Sequence, residues 1–144
     1  MNDAMHHIRK AILTRLNGAI TYGGVNVNAY NTVPRGAAYP YIFVYSVSST
    51  EIDQNAGSFN AEVITRIEVV DRFDSNTGGE LSVNSIISDC LNLLRTRTAG
   101  YFDLTADGFK VYGVENRGIT YLTDNLTDHT YKRAIMELVV KVAE

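Results

Sequence analysis

The sequence is short of the residues that usually announce a chemistry. Among 144 residues there are one cysteine, two prolines, three histidines and no tryptophan. A lone thiol, Cys90, leaves no intramolecular disulfide and no zinc site built on several thiolates. No stretch approaches the roughly 18 to 20 apolar residues of a membrane-spanning helix. The first sixteen residues, MNDAMHHIRKAILTRL, are too polar for a secretory signal, since their longest apolar run is Ala11 to Leu13. Charge of one sign is also missing: 13 Lys and Arg stand against 16 Asp and Glu, a net charge of −3. That balance gives no reason to expect a nucleic-acid or anionic-membrane surface. Phosphate loops are absent too, with neither GxxxxGK[ST] nor a GxGxxG following a strand.

What remains is the profile of a folded domain. Hydrophobic residues make up 45% and charged residues 20%, which separates the chain from disordered or low-complexity sequences. Its length suits one domain, residues 1–144, burying about two-thirds of its unfolded surface. A soluble protein made in a reducing compartment is the expectation.

The apolar periodicity predicts an α+β fold. Met5, Ile8, Ile12 and Leu16 form a helical stripe over residues 3–17, with Asn2 or Asp3 to cap it and Gly18 to end it. Val25–Tyr30 alternates like an edge strand. Both prolines fall in NTVPRGAAYPYIFVY, where Pro34 and Pro40 force extended backbone before a strand at Tyr41–Ser49. A polar turn at residues 50–58, containing Gly57, leads into a long strand, Phe59–Phe73. Thr77 and Glu80 have capping-box spacing ahead of a helix whose stripe is Val83, Ile86, Ile87, Cys90, Leu93 and Leu94. Arg95 and Arg97 fall in its last turn, and Gly100 is placed to end it. Strands at Lys110–Arg117 and Tyr131–Val142 flank a polar connection, residues 118–129. The order is α-β-β-β-α-β-β: a mostly antiparallel sheet of four to five strands with two helices on one face.

A search for chemistry among these elements returns folding signals. His6 and His7 are neighbours on a helix and point about 100° apart, so they cannot chelate one metal. Cys90 lies on an apolar stripe with no histidine near it in the helix, the setting of an inert thiol. Asp71, Asp74 and Asp124 would make an acidic site only if they converged; each sits among turn residues, where aspartate serves local hydrogen bonding. Gly78-Gly79 reads as a helix entry rather than an anion site, given Glu80 beside it. Asn125-Leu126-Thr127 is a glycosylation sequon without meaning unless the chain is exported. No catalytic, metal or cofactor residues are assigned. Tyr30, Tyr39, Tyr41 and Tyr45 cluster around the prolines, which suits either a sheet edge or a subunit interface.

The order and spacing of several segments resemble the tail terminator (tail completion) proteins of long-tailed bacteriophages. The resemblance runs along nearly the whole chain. It comprises the amphipathic first helix, Val33-Pro34-Arg35-Gly36-Ala37, Tyr39-Pro40-Tyr41-Ile42 leading into a strand, and a helix entered through Gly78, Gly79 and Glu80 with Ile86, Ile87, Leu91 and Leu94. Asp128-His129-Thr130 before the last strand completes it. The 50–58 and 118–129 segments are looser than the family pattern. The resemblance implies a non-enzymatic virion protein, made in the host cytoplasm and placed at the top of the tail. It would form a hexameric ring that caps the tail tube, stops tube polymerisation and presents the head-joining surface. Implied partners are further copies of itself, the tail tube protein and a head-completion or connector protein. No membrane and no specific nucleic acid is implied, although DNA would pass through the ring. A head-side neck ring protein, and less so a small ligand-binding or enzymatic domain with an acidic site, are the alternatives.

Both polar segments exceed the length of ordinary hairpin loops, about two to five residues, and such loops tend to carry function. They are therefore the expected contact surfaces toward neighbouring subunits or the tube. Glu51, Asp53, Gln54, Asn55, Asp124 and Asp128 would supply them, with Arg66, Arg117 and Arg133 as cations to be met across the interface.

Overall fold

The computed structural model describes residues 2–55, 58–95 and 101–144, and the side chains of residues 53–58 also lie outside the description. The expected turn residue Gly57 and the expected helix-ending residues Arg97 and Gly100 fall outside the described residues. The described elements run α1 (Met5–Leu16), β1 (Thr21–Tyr22), β2 (Val25–Asn26), β3 (Ala29–Tyr30), β4 (Tyr41–Asn55), β5 (Ser58–Asp74), α2 (Leu81–Leu94), a 3₁₀ turn (Thr105–Asp107), β6 (Lys110–Asn125) and β7 (His129–Ala143). The fold is α+β, as the periodicity implied. Five strands form one sheet in the order β3-β4-β5-β7-β6, and β1 pairs with β2 in a separate ribbon. All pairings are antiparallel except that of β3 with β4. Among the described residues no helix is long and apolar enough to cross a membrane.

Strand register decides which face the helices cover. Ile42, Val69 and Ala134 form one cross-strand row, and Val44, Ile67 and Met136 the next but one. These residues, with Val63 and Val140, share one core with Ile8, Ile12 and Leu16 of α1 and Val83, Ile86, Ile87, Cys90 and Leu94 of α2. Both helices therefore lie on one side. Thr65 interrupts this face: it is fully buried, and its hydroxyl has no partner among the described residues. Asp3 Oδ1 accepts the Met5 N–H at 3.1 Å, and Gly18 leaves α1 at φ +79°. The proline stretch forms a turn, with the Ala37 N–H donating to the Pro34 carbonyl, and then a cis Tyr39–Pro40 bond immediately before β4.

Four local expectations are corrected. The capping box does not form: Thr77 Oγ1 donates to the Asp74 carbonyl at 2.7 Å, and Glu80 caps α2 without a side-chain bond. Gly78 is instead required by its backbone, at φ +89°, and by Phe73, whose ring would lie 2.3 Å from an added Cβ. The segment Val25–Tyr30 is split into β2 and β3, because Val27 turns inward and its N–H donates to Ile20 O. Residues 50–55 are no loop: β4 runs to Asn55 and pairs with β5 as far as Asn55–Ser58. Nor are residues 118–125, since β6 runs to Asn125 and only a short turn precedes β7 at His129. Residues 50–55 and 118–125 are strand because their backbones pair with β5 and β7. Their polar side chains carry no apolar alternation, since little of either faces the core.

The two edge strands share one irregularity. β4 carries bulges at Val47 and Ile52, and β6 carries them at Tyr112 and Arg117. β5 and β7, between them, pair without interruption from Asn60–Ala143 to Asp74–His129. An extra residue in each edge bends it and increases its twist, so the sheet coils.

Candidate functional site

The face of the sheet away from the helices has no covering element among the described residues, and most side chains singled out in the sequence lie on it or at its edges. Register places Tyr41, Phe43 and Tyr45 of β4 on this side, beside Val70, Glu68 and Arg66 of β5, with Arg133, Ile135 and Glu137 of β7 beyond. Aromatic rings continue along it. Tyr39 lies 5.1 Å from Tyr41 and 6.0 Å from Tyr131, and Phe43 lies 4.9 Å from Tyr45, centroid to centroid. The Arg72 guanidinium sits 4.6 Å above the Tyr39 ring. Burial, then the neighbouring Tyr39, pushes the Tyr41 phenol above its ordinary value.

Ion pairs lace the same face. Arg133 Nη1 donates to Glu68 Oε1 at 2.9 Å, and Arg133 Nε lies 2.9 Å from Asp124 Oδ2 without the alignment of a hydrogen bond. Arg66 stands opposite Tyr45, and its hydrogen bond to that side chain, with Glu137 at 3.4 Å, favours the charged guanidinium. Lys141 approaches Glu62 at 3.9 Å. Glu68 is the deepest of these groups, its side chain only 8% exposed. The pattern was legible in principle: Glu62 and Arg66 on β5 stand opposite Lys141 and Glu137 on β7, and Glu68 meets Arg133 on the diagonal, the reach that antiparallel pairing gives opposite charges.

The expected contact residues divide into separate groups. Arg66 and Arg117 line one shallow cleft with Gly118, Thr120, Ile135 and Glu137. Asp124 and Arg133 meet in a second, beside Tyr39, Tyr41 and Tyr131. Asp124 and Arg133, named as partners across an interface, are thus already paired within the chain. Glu51 is exposed near the far end of β4. Asp53, Gln54 and Asn55 close that strand opposite Asn60, Phe59 and Ser58, with their side chains outside the description. Asp128 is exposed in the short turn between β6 and β7.

The acidic alternative does not assemble. Asp71 is buried on the helix side of the sheet, where it accepts the Ser82 hydroxyl at 2.5 Å and the Arg72 N–H at 2.8 Å. Asp124 lies on the opposite face with Arg133. Among the described residues no group of three His, Cys, Asp or Glu is placed to hold a metal ion. His7 Nδ1 lies 3.4 Å from Asp107 and ties α1 to the 3₁₀ turn. Burial pushes the Cys90 thiol up to about 12 from 9.0, so it is a core group.

The surface thus offers aromatic rings and compensated charges on an open sheet, flanked by long exposed edges. No protein-family model matches the chain, and no curated protein matches it significantly.

Proposed function

We propose that the protein is a ring-forming structural subunit that caps a phage tail tube, ending tube growth and presenting the surface for joining the head. The observation that supports this most is the sheet itself, whose outer face and two long edges have no partner element among the described residues while its other face holds the core. A subunit that works by assembly needs such surfaces. Charges on the open face are already paired within the chain, so they favour register and selectivity of docking over raw affinity. Each partner is expected to be another copy of this chain, the tube subunit or a head-completion protein. The resemblance of the sequence to tail terminators supplies the class, and association that closes by rotation supplies the physical form.

The test is to add the purified chain to growing tail tubes from the same genome and image the products by electron microscopy. Shorter tubes carrying a ring of density at one end are expected. Tubes of undiminished length with bare ends would overturn the reading, and binding only to head connectors would move the protein to the head side of the neck.

A further inference from the structure

We propose that copies of this chain join edge to edge, the outer edge of β4 in one copy pairing antiparallel with β6 of the next, so that the sheet runs on between subunits. The proposal rests on the ring reading and names the surface that builds it. Strand direction is the first reason. β4, β5, β7 and β6 alternate in direction, so the two edges of the sheet run oppositely. A second copy in the same orientation therefore sets its β4 antiparallel to the first copy's β6, with the helices of both on one side. This is head-to-tail association, which repeats until rotation closes it.

The edges are also free and alike in shape. β3 pairs with only Ile42 and Phe43 of β4, leaving Val44–Asn55 without an outer neighbour among the described residues, and the whole of β6 is the opposite edge. Bulges often guard edges, because a straight strand cannot follow them. Here they occur at both edges and flank the same two rows of the sheet, Thr65–Leu138 and Ala61–Val142. Each edge bends where the other does. Tyr45 to Asp53 of β4 spans the same rows as Gly118 to Lys110 of β6, so a level alignment brings the bent stretches together.

The residue types at these positions favour the same pairing. Three of the four bulged residues are large, apolar and well exposed: Val47 at 41%, Ile52 at 41% and Tyr112 at 40%. An edge kept apart from partners would carry lysine there. Charge is complementary as well, since residues 45–55 contain Glu51 and Asp53 but no cation, whereas residues 110–118 contain Lys110 and Arg117 against one acid, Glu115.

Native mass spectrometry of the wild type and two edge variants, V47K/I52K on β4 and Y112K on β6, tests this. The wild type is expected as a closed ring and each variant alone as a monomer, with circular dichroism and thermal midpoint unchanged. An equimolar mixture of the two variants retains one compatible junction and should give heterodimers. Should a lysine variant fail to fold, V47T/I52T and Y112T give the same comparison through weakened association. Variants that assemble as well as the wild type would sink the edge pairing while leaving the ring intact. Homodimers of a single variant would show like-with-like contact and would also sink it. A wild type that stays monomeric at its highest soluble concentration would remove the ring reading itself.

Discussion

Two buried side chains carry their consequences alone. Thr65 stands in a row with Leu138 beneath the helices, fully buried, its hydroxyl without a partner among the described residues. A buried hydroxyl that has lost its water costs about 1–3 kcal/mol. Thr65→Val keeps the branched shape and removes that cost, so urea denaturation should show a gain of about 1 kcal/mol. A loss instead would mean that the hydroxyl finds a partner in solution. Cys90 has its thiol raised to about 12, so its folded value exceeds its unfolded one. The stability this represents is complete below about pH 9 and falls as pH rises toward 12, by about 1.4 kcal/mol per unit. Wild type should therefore lose stability between pH 9 and 11 more steeply than Cys90→Ala, measured by denaturant midpoints at each pH. Parallel slopes for the two proteins would refute the assignment.

At the scale of elements, the cross-strand ion pairs set one specific expectation. Glu68 is nearly buried, and its bond from Arg133 is its one hydrogen bond to a cation among the described residues. Exposed pairs such as Lys141–Glu62 contribute about 0–1 kcal/mol. Removing Arg133 leaves a carboxylate in a dry setting, so Arg133→Ala should cost about 1–3 kcal/mol. Arg133→Met combined with Glu68→Leu should recover most of that loss, because the stranded charge is gone. A double variant as unstable as Arg133→Ala would place the cost in packing instead. The same strands show what was legible beforehand. Apolar alternation in β5 and β7, and the helical stripes of α1 and α2, announced themselves because each must bury one face against the others. The ends of β4 and β6 did not, because TEIDQN and GITYLTDN are held by backbone pairing to a neighbour that only the tertiary fold supplies. Reading them as loops also hid the pairing of Asp124, expected at a contact between subunits, with Arg133 of its own chain. The bulges are invisible to periodicity for a related reason: one extra residue merely shifts the phase of a pattern already weak at an edge.

For the whole molecule, the architecture sets an order of protection. β5 is paired on both sides along most of its length, and so is β7. Among the described residues β6 and the outer part of β4 each pair with one strand, which leaves alternate amides on the far side without a strand partner. Amide hydrogen exchange of a monomeric edge variant should therefore be slowest in β5 and β7 and fast at alternate positions of β6 and of residues 44–55. In the assembled wild type those alternate amides gain partners, and their exchange should slow toward that of the interior strands. Helix α2, which packs chiefly on the interior strands β5 and β7, should exchange equally in both states. This pattern distinguishes sheet continuation from contacts through the aromatic face, which would cover side chains of β4, β5 and β7 without changing the hydrogen bonds of β6. Assembly that protects the helices and leaves the alternate amides of β6 fast would mean that the ring is built through the other side of the molecule, with the bulged edges serving only to keep strangers off.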